Sequence, residues 1–182
     1  MKNNDLVWYA CYGSNLNEDR LTYYIRGGTY PVNGVRYDPC TNTSLWKKTM
    51  VRVYPGRVYF SNHSPSWEER GVAFYDRDGE GKAVMKLYLI TWEQFLEIQK
   101  KEGRGRTWYG KIEQLEELDG IPVLTMTSSE PHGYTVSPRS EYVEVIRKAL
   151  IVECGMTEEA ANDYLQGCMN PADERTNLYR SA

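Results

Sequence analysis

The chain has 182 residues, enough for one domain with a real hydrophobic core. Apolar residues make up 41% and charged residues 26%, the composition of an ordinary soluble globular protein. The net charge of −3 lacks the basic footprint of a dedicated nucleic-acid binder, so no nucleic-acid partner is expected. The opening MKNNDLVWYA is too polar for a secretion signal, and no run of about 18 apolar residues occurs. A cytoplasmic protein without a membrane partner is therefore expected, with its four cysteines as free thiols. Cys11, Cys40, Cys154 and Cys168 form no CxxC pair, and His63 and His132 are the two histidines, so no metal site is expected. Tyrosine is abundant: 15 Tyr and 5 Trp against 3 Phe, a bias that suits strand faces and pocket walls.

In chain order, residues 5–11 read as a first strand and Tyr12 to Asn17 as a turn-rich loop. Asn17 is placed to cap a helix through Glu18, Asp19, Leu21, Tyr24 and Ile25, with acidic residues in its first turn. Residues 27–47, rich in Gly, Pro, Asn, Asp and Thr, read as a long irregular connection. Strand-like runs follow at 48–54, 57–60, 71–76, 82–90, 107–112 and 121–127, most of them separated by turn signals such as Pro55-Gly56. Between the fourth and fifth runs, Thr91 and Gln94 form a capping box for a helix. Its apolar stripe is Trp92, Phe95 and Leu96, and Gly103 sits where a terminal glycine belongs. Ser137-Pro138 opens a helix with Tyr142, Val145, Ile146, Ala149 and Leu150 on its apolar face. Thr157 caps another, ending at Gly167. Strands followed by helices argue an α+β fold, with the strands in an antiparallel sheet or small barrel. The expected organisation is a domain over 1–155 with a C-terminal helical extension and tail over 156–182. A homodimer is compatible with all of this.

The chemistry concentrates in Tyr9-Ala10-Cys11-Tyr12-Gly13-Ser14-Asn15-Leu16-Asn17, a strand feeding a loop of small residues and then a helix start. Successive N–H groups in such a loop form an anion-binding concavity, and the helix N-terminus adds positive potential. Gly13 permits close approach or an unusual φ. An ordinary strand-to-helix turn would look the same. The segment resembles the YGSN-type loop of the γ-glutamylcyclotransferase superfamily; γ-glutamylamine cyclotransferases carry a shorter YGTL version. The match extends to Glu102-Gly103 closing a helix after the central strands, with Tyr109 seven residues after the glutamate. More loosely, it includes Phe60-Ser61-Asn62, Trp67 and Gly71-Val72-Ala73 along a pocket-lining strand, and Ser137 to Tyr142 entering a helix. It spans about residues 8–152 and leaves 27–47 and 156–182 without counterpart.

The resemblance implies a small mixed, mainly antiparallel barrel. It also implies cleavage of a γ-glutamyl amide or peptide by cyclisation to 5-oxoproline, releasing a free amine. Glu102 would be the catalytic proton shuttle. Tyr12, Gly13, Ser14, Asn15 and Leu16 would bind the glutamyl group, and Tyr109 and Tyr142 would shape and polarise the pocket. A carboxylate suits the shuttle because the attacking amine must lose a proton and the leaving amine must gain one. The partner is a small γ-glutamyl molecule, and no metal or organic cofactor is implied. The chain departs from the pattern at Gln99-Lys100-Lys101, where relatives carry acidic residues, and Arg104 and Arg106 add positive charge. A basic rim of this kind favours a carboxylate-rich released portion. Two alternatives stand beside this reading: γ-glutamylamine cyclotransferase activity on an isopeptide, and a non-catalytic module that binds a small ligand. Ser14 has no histidine placed beside it by any motif, and Gly79-Glu80-Gly81-Lys82 lacks phosphate-loop spacing.

Overall fold

The computed structural model describes residues 1–2, 5–102, 108–129 and 132–170. Its centre is a five-stranded sheet in the order β4 (Thr49–Pro55), β7 (Lys82–Thr91), β1 (Leu6–Cys11), β9 (Ile121–Thr127), β8 (Lys111–Leu118). β1 is apolar nearly throughout because it is central and covered on both faces. It runs antiparallel to β7, with Tyr9 opposite Tyr88, and parallel to β9, with Trp8 opposite Val123. β5 (Arg57–Ser64) and β6 (Arg70–Asp76) form their own antiparallel ladder, and β2 (Gly28–Thr29) and β3 (Arg36–Tyr37) make a two-residue hairpin in the long connection. The run at 71–76 therefore does not join the main ladder. Thr127 Oγ1 instead donates to Tyr75 O at 2.6 Å, and Tyr75 Oη donates to Pro55 O at 2.6 Å, which curls the β5–β6 pair against β9 and β4. The result is the expected α+β class: a curled, mainly antiparallel half-barrel with four α-helices among the described residues.

Helix α2 (Trp92–Glu102) carries the capping box: Gln94 N donates to Thr91 Oγ1 at 3.2 Å and Thr91 N to Gln94 Oε1 at 3.1 Å. Its inward face is Gln94, Phe95 and Ile98, while Leu96, expected inside, points outward. Gln94 is buried because its amide donates to the carbonyls of Asn42 and Ser44, pinning the long connection. Gly103 lies outside the described residues. Helices α3 (Ser140–Val152) and α4 (Glu158–Met169) pack together. α3 buries the five residues expected of it, Thr157 caps α4 by accepting from Ala160 N at 3.1 Å, and α4 runs through Gly167 rather than ending there.

The largest correction is β8. The strand expected at 107–112 begins at Lys111 and runs to Leu118. Its acidic stretch reads poorly as a strand, but it is a sheet edge, where charge blocks further pairing. Asp119 and Gly120, at φ 51° and 76°, close the β8–β9 hairpin in the two-residue form that needs left-handed backbone. Among the described residues no helix is long and apolar enough to cross a membrane.

Candidate active site

The loop after β1 forms a 3₁₀ turn over Ser14–Leu16, in which Leu16 N donates to Gly13 O at 2.9 Å. That bond spends the Leu16 amide, and the Leu16 side chain is buried in the core while its carbonyl accepts from Tyr88 Oη at 2.9 Å. Leu16 thus anchors the loop and does not face the cavity. The amides of Ser14 and Asn15, at the start of the turn, have no main-chain acceptor among the described residues. Gly13 has an ordinary φ of −110°, so its lack of a side chain serves close approach: a Cβ there would stand 3.1 Å from Ala73 Cβ and 3.2 Å from Tyr142 Oη.

Helix α1 (Glu18–Arg26) is capped as expected, Asn17 accepting from Arg20 N at 2.9 Å. Its positive end is not offered to a ligand. Glu18 N donates to the Glu153 carboxylate at 3.0 and 3.2 Å, so a carboxylate from the end of α3 already occupies that position.

Glu102 is the last residue of α2, and its Oε1 accepts from Asn15 Nδ2 at 2.7 Å, across 87 positions of sequence. A cavity of about 40 Å³ brings together Tyr12, Gly13, Ser14, Asn15, Glu102, Tyr109 and Tyr142, seven of the eight positions read from the sequence. Ser14, Glu102, Tyr109 and Tyr142 also line an outer chamber of about 500 Å³, walled by Arg20, Tyr37, Trp67 and Trp108 and reached by Lys100. Lys101, read from the sequence as part of a basic rim, turns inward and donates to Tyr24 O at 2.8 Å. Arg104 and Arg106 lie outside the described residues.

The tyrosine hydroxyls are largely committed to the main chain. Tyr12 Oη donates to Met126 O at 2.8 Å and Tyr109 Oη to Ala73 O at 2.7 Å. Tyr142 Oη accepts from Ala73 N at 3.1 Å and is pushed up to about 12 by burial. Tyr109 and Tyr142 therefore cap the two polar groups that β6 leaves unpaired at Ala73, the residue facing Gly13. Burial raises Glu102 above the ordinary carboxylate range, opposed by the Arg20 charge, by the nearby Tyr24 hydroxyl and by the Asn15 amide.

Arg20, Tyr24 and Tyr37 are the site residues that the sequence reading missed. Arg20 is 2% exposed, its guanidinium lying 4.6 Å from the ring centres of Tyr24, Tyr30 and Tyr37. One Nη donates to Tyr24 Oη at 2.9 Å and to Tyr37 Oη at 2.7 Å. The available signal was four tyrosines, at 23, 24, 30 and 37, crowded after Arg20 in a chain poor in Phe.

This half-barrel, with a glycine–serine–asparagine turn facing a helix-terminal glutamate, is the γ-glutamylcyclotransferase-like fold. Solved structures agree at the level of fold. A γ-glutamyl cyclotransferase superposes with a TM-score of 0.63 at 14% identity over 88% of this chain and 87% of that one. A protein from Homo sapiens, solved as uncharacterised, gives 0.63 at 15% over the same shares, and YkqA of Bacillus subtilis gives 0.58 at 19% over 91% of this chain and 55% of its own. No family model matches the chain. Among curated proteins it is similar to histone deacetylase 5 of Arabidopsis thaliana, 30% identical over 155 residues, which takes in 66% of this chain and 23% of that protein. The chain thus spans about a quarter of that relative's length.

Proposed function

We propose that the protein cleaves a γ-glutamyl amide or peptide by intramolecular cyclisation. The substrate's α-amine attacks its own γ-carbonyl carbon, the bond from that carbon to the departing nitrogen breaks, and 5-oxoproline and a free amine result. Glu102 takes the proton from the attacking amine and returns it to the departing one. Because both reacting groups belong to one molecule, the enzyme's main task is to hold a near-attack geometry. The observation that carries this reading is the 2.7 Å bond from Asn15 to Glu102, which sets a carboxylate beside the Gly13–Asn15 turn. The amides of Ser14 and Asn15, without a main-chain acceptor among the described residues, suit a developing oxyanion. The inner cavity by itself is about the size of a water molecule, so the glutamyl group would extend past Ser14 and Glu102 into the outer chamber. The partner implied is a small γ-glutamyl molecule, and four free cysteines fit a reducing cytoplasmic setting.

The test is incubation with γ-glutamyl dipeptides, γ-glutamyl amines, a γ-glutamyl-lysine isopeptide and glutathione, with detection of 5-oxoproline. Release from at least one member supports the enzyme, and the preferred member fixes the released amine. Tight binding of a member with no 5-oxoproline would replace catalysis by ligand sensing on the same fold.

A further inference from the structure

Arg20 is a buried cation, 2% exposed, in no ion pair among the described residues. Three tyrosine rings enclose its guanidinium at 4.6 Å, and one Nη donates to Tyr24 Oη at 2.9 Å and to Tyr37 Oη at 2.7 Å. Its Nε and the other Nη have no hydrogen-bond partner among the described residues. Ring faces offset part of the cost of desolvating a cation, but a buried charge is usually met by an anion as well. No described carboxylate makes that contact, yet Arg20, Tyr24 and Tyr37 all stand in the wall of the outer chamber. The guanidinium is too enclosed to touch a ligand there. Its charge reaches the chamber through Tyr37, which is half-buried on β3 and makes no other hydrogen bond among the described residues. A phenol has one proton, and the Tyr37 oxygen already accepts from Arg20, so that proton is left for an acceptor in the chamber. Accepting from a cation also polarises the O–H and makes it a stronger donor to an anion.

The carboxylates of the chamber wall are engaged elsewhere. Glu97 accepts from Thr41 N at 2.9 Å and from Thr41 Oγ1 at 2.5 Å, and Glu102 accepts from Asn15. Of the exposed lining residues, the cations Arg36 and Lys100 outnumber the one carboxylate, Asp38, so an entering anion meets net positive charge. We propose that Tyr37, with Arg20 behind it, is a subsite that holds a substrate carboxylate in the outer chamber. This rests on the cyclotransferase reading and adds to it a group that the substrate must carry. A γ-glutamyl peptide offers two such groups. Its own α-carboxylate shares a carbon with the amine that meets Glu102, and the inner cavity, about the size of a water molecule, leaves that carboxylate on the chamber side. The carboxylate of the released residue lies further out. The same chemistry recognises both, and substrates that carry one or both tell them apart.

The discriminating variant is Tyr37→Phe, which keeps the ring over Arg20 and removes only the donor. Initial rates are compared on γ-glutamylalanine, γ-glutamylalaninamide and γ-glutamylethylamine. KM should rise about tenfold with kcat little changed, as expected when a hydrogen bond to a charged group is lost from binding. A rise on all three assigns the subsite to the glutamyl α-carboxylate, and a rise on γ-glutamylalanine alone assigns it to the released residue. Any other pattern, unchanged KM or a fall in kcat alone included, overturns the proposal. A second measurement needs no turnover. Glutarate is titrated while the nitrogen-15 NMR signal of Arg20 Nε–H is followed, assigned through its bonds to the Arg20 backbone, with glutaramide as the uncharged control. Saturable movement with glutarate, weakened about tenfold in Tyr37→Phe and absent with glutaramide, supports the subsite. In a protein that cyclises nothing, that result would keep the subsite and discard the reaction. Equal response to both probes, or none to glutarate, overturns the subsite whether or not 5-oxoproline is released.

Discussion

Two partly buried charge assemblies flank the end of β1, and they are built on opposite plans. On one side Lys86, whose side chain is 4% exposed, bonds Glu18 at 2.6 Å and also Glu153, two carboxylates from the start of α1 and the end of α3. On the other side Glu102 accepts from the neutral Asn15 amide at 2.7 Å and forms no ion pair among the described residues, and the Arg20 guanidinium is held by Tyr24 and Tyr37 hydroxyls instead of a carboxylate. Lys86 is opposite Cys11 in the β1–β7 register, and Cys11 lines the inner cavity, so a single strand separates the two. The first assembly neutralises its charges by contact and ties two helices to the sheet. The second leaves a carboxylate without a direct counter-ion among the described residues, where it can still exchange a proton. Compensation marks the structural assembly, and its absence marks the one suited to chemistry.

The largest effect expected from breaking this contrast is on turnover. Glu102→Gln keeps size and hydrogen-bonding shape but cannot accept a proton. On the best γ-glutamyl substrate of the parent, 5-oxoproline release should fall at least about 10²-fold, since general acid–base catalysis is typically worth about 10²–10⁴-fold. Substrate affinity, which the proposed function assigns mainly to the turn at residues 13–15, should change little. Near-parental turnover in this variant would remove Glu102 from the mechanism.

Next in size is the structural assembly. Lys86→Met leaves Glu18 and Glu153 facing each other without their cation. Removing one partner of a buried pair costs about 3–5 kcal/mol, and Glu18 is 44% exposed, so about 3 kcal/mol is expected by urea unfolding, with kcat/KM largely retained. If stability were unchanged while activity collapsed, the roles assigned to the two assemblies would be reversed.

The same contrast explains how much the sequence disclosed. Local signals carried the helix starts: Asn17, the Thr91–Gln94 box and Thr157 each cap the helix they were expected to cap. The Tyr12–Asn15 turn and Glu102 were legible because their spacing along the chain resembles a known pattern. Their contact over 87 positions was legible only through that resemblance. Arg20 was hidden because a charged residue early in an amphipathic helix reads as solvent-facing, and only tertiary packing of Tyr30 and Tyr37 over it makes it buried. Glu153 was hidden for the same reason, since its partners come from α1 and β7. β8 was misplaced because acidic residues lower strand propensity, and the edge position that makes them acceptable is a property of the sheet.

The smallest expected effect is on stability, and it separates the two assemblies by sign. Burial raises the Glu102 pKa in the folded state. Proton binding therefore favours the fold: the stability this group contributes is full below its unfolded value, about 4.3, and is lost as pH rises through the folded value. At neutral pH the ionised carboxylate is thus a small net cost, which Glu102→Gln removes. For Lys86, burial is outweighed by Glu153 and Glu18 and the pKa is raised, so its contribution stays intact through neutral pH and fades only above about 10.4. Calorimetry near pH 7 should find Glu102→Gln at least as stable as the parent, with Tm higher by on the order of 2 °C. Well below about pH 4, where Glu102 is protonated in both states, the two proteins should converge. Lower stability of the variant at pH 7 would mean that Glu102 is held by its donors more strongly than burial opposes it. It would then belong with Lys86 as a structural charge. Higher stability together with lost turnover would identify a residue kept for its reaction at some expense to the fold.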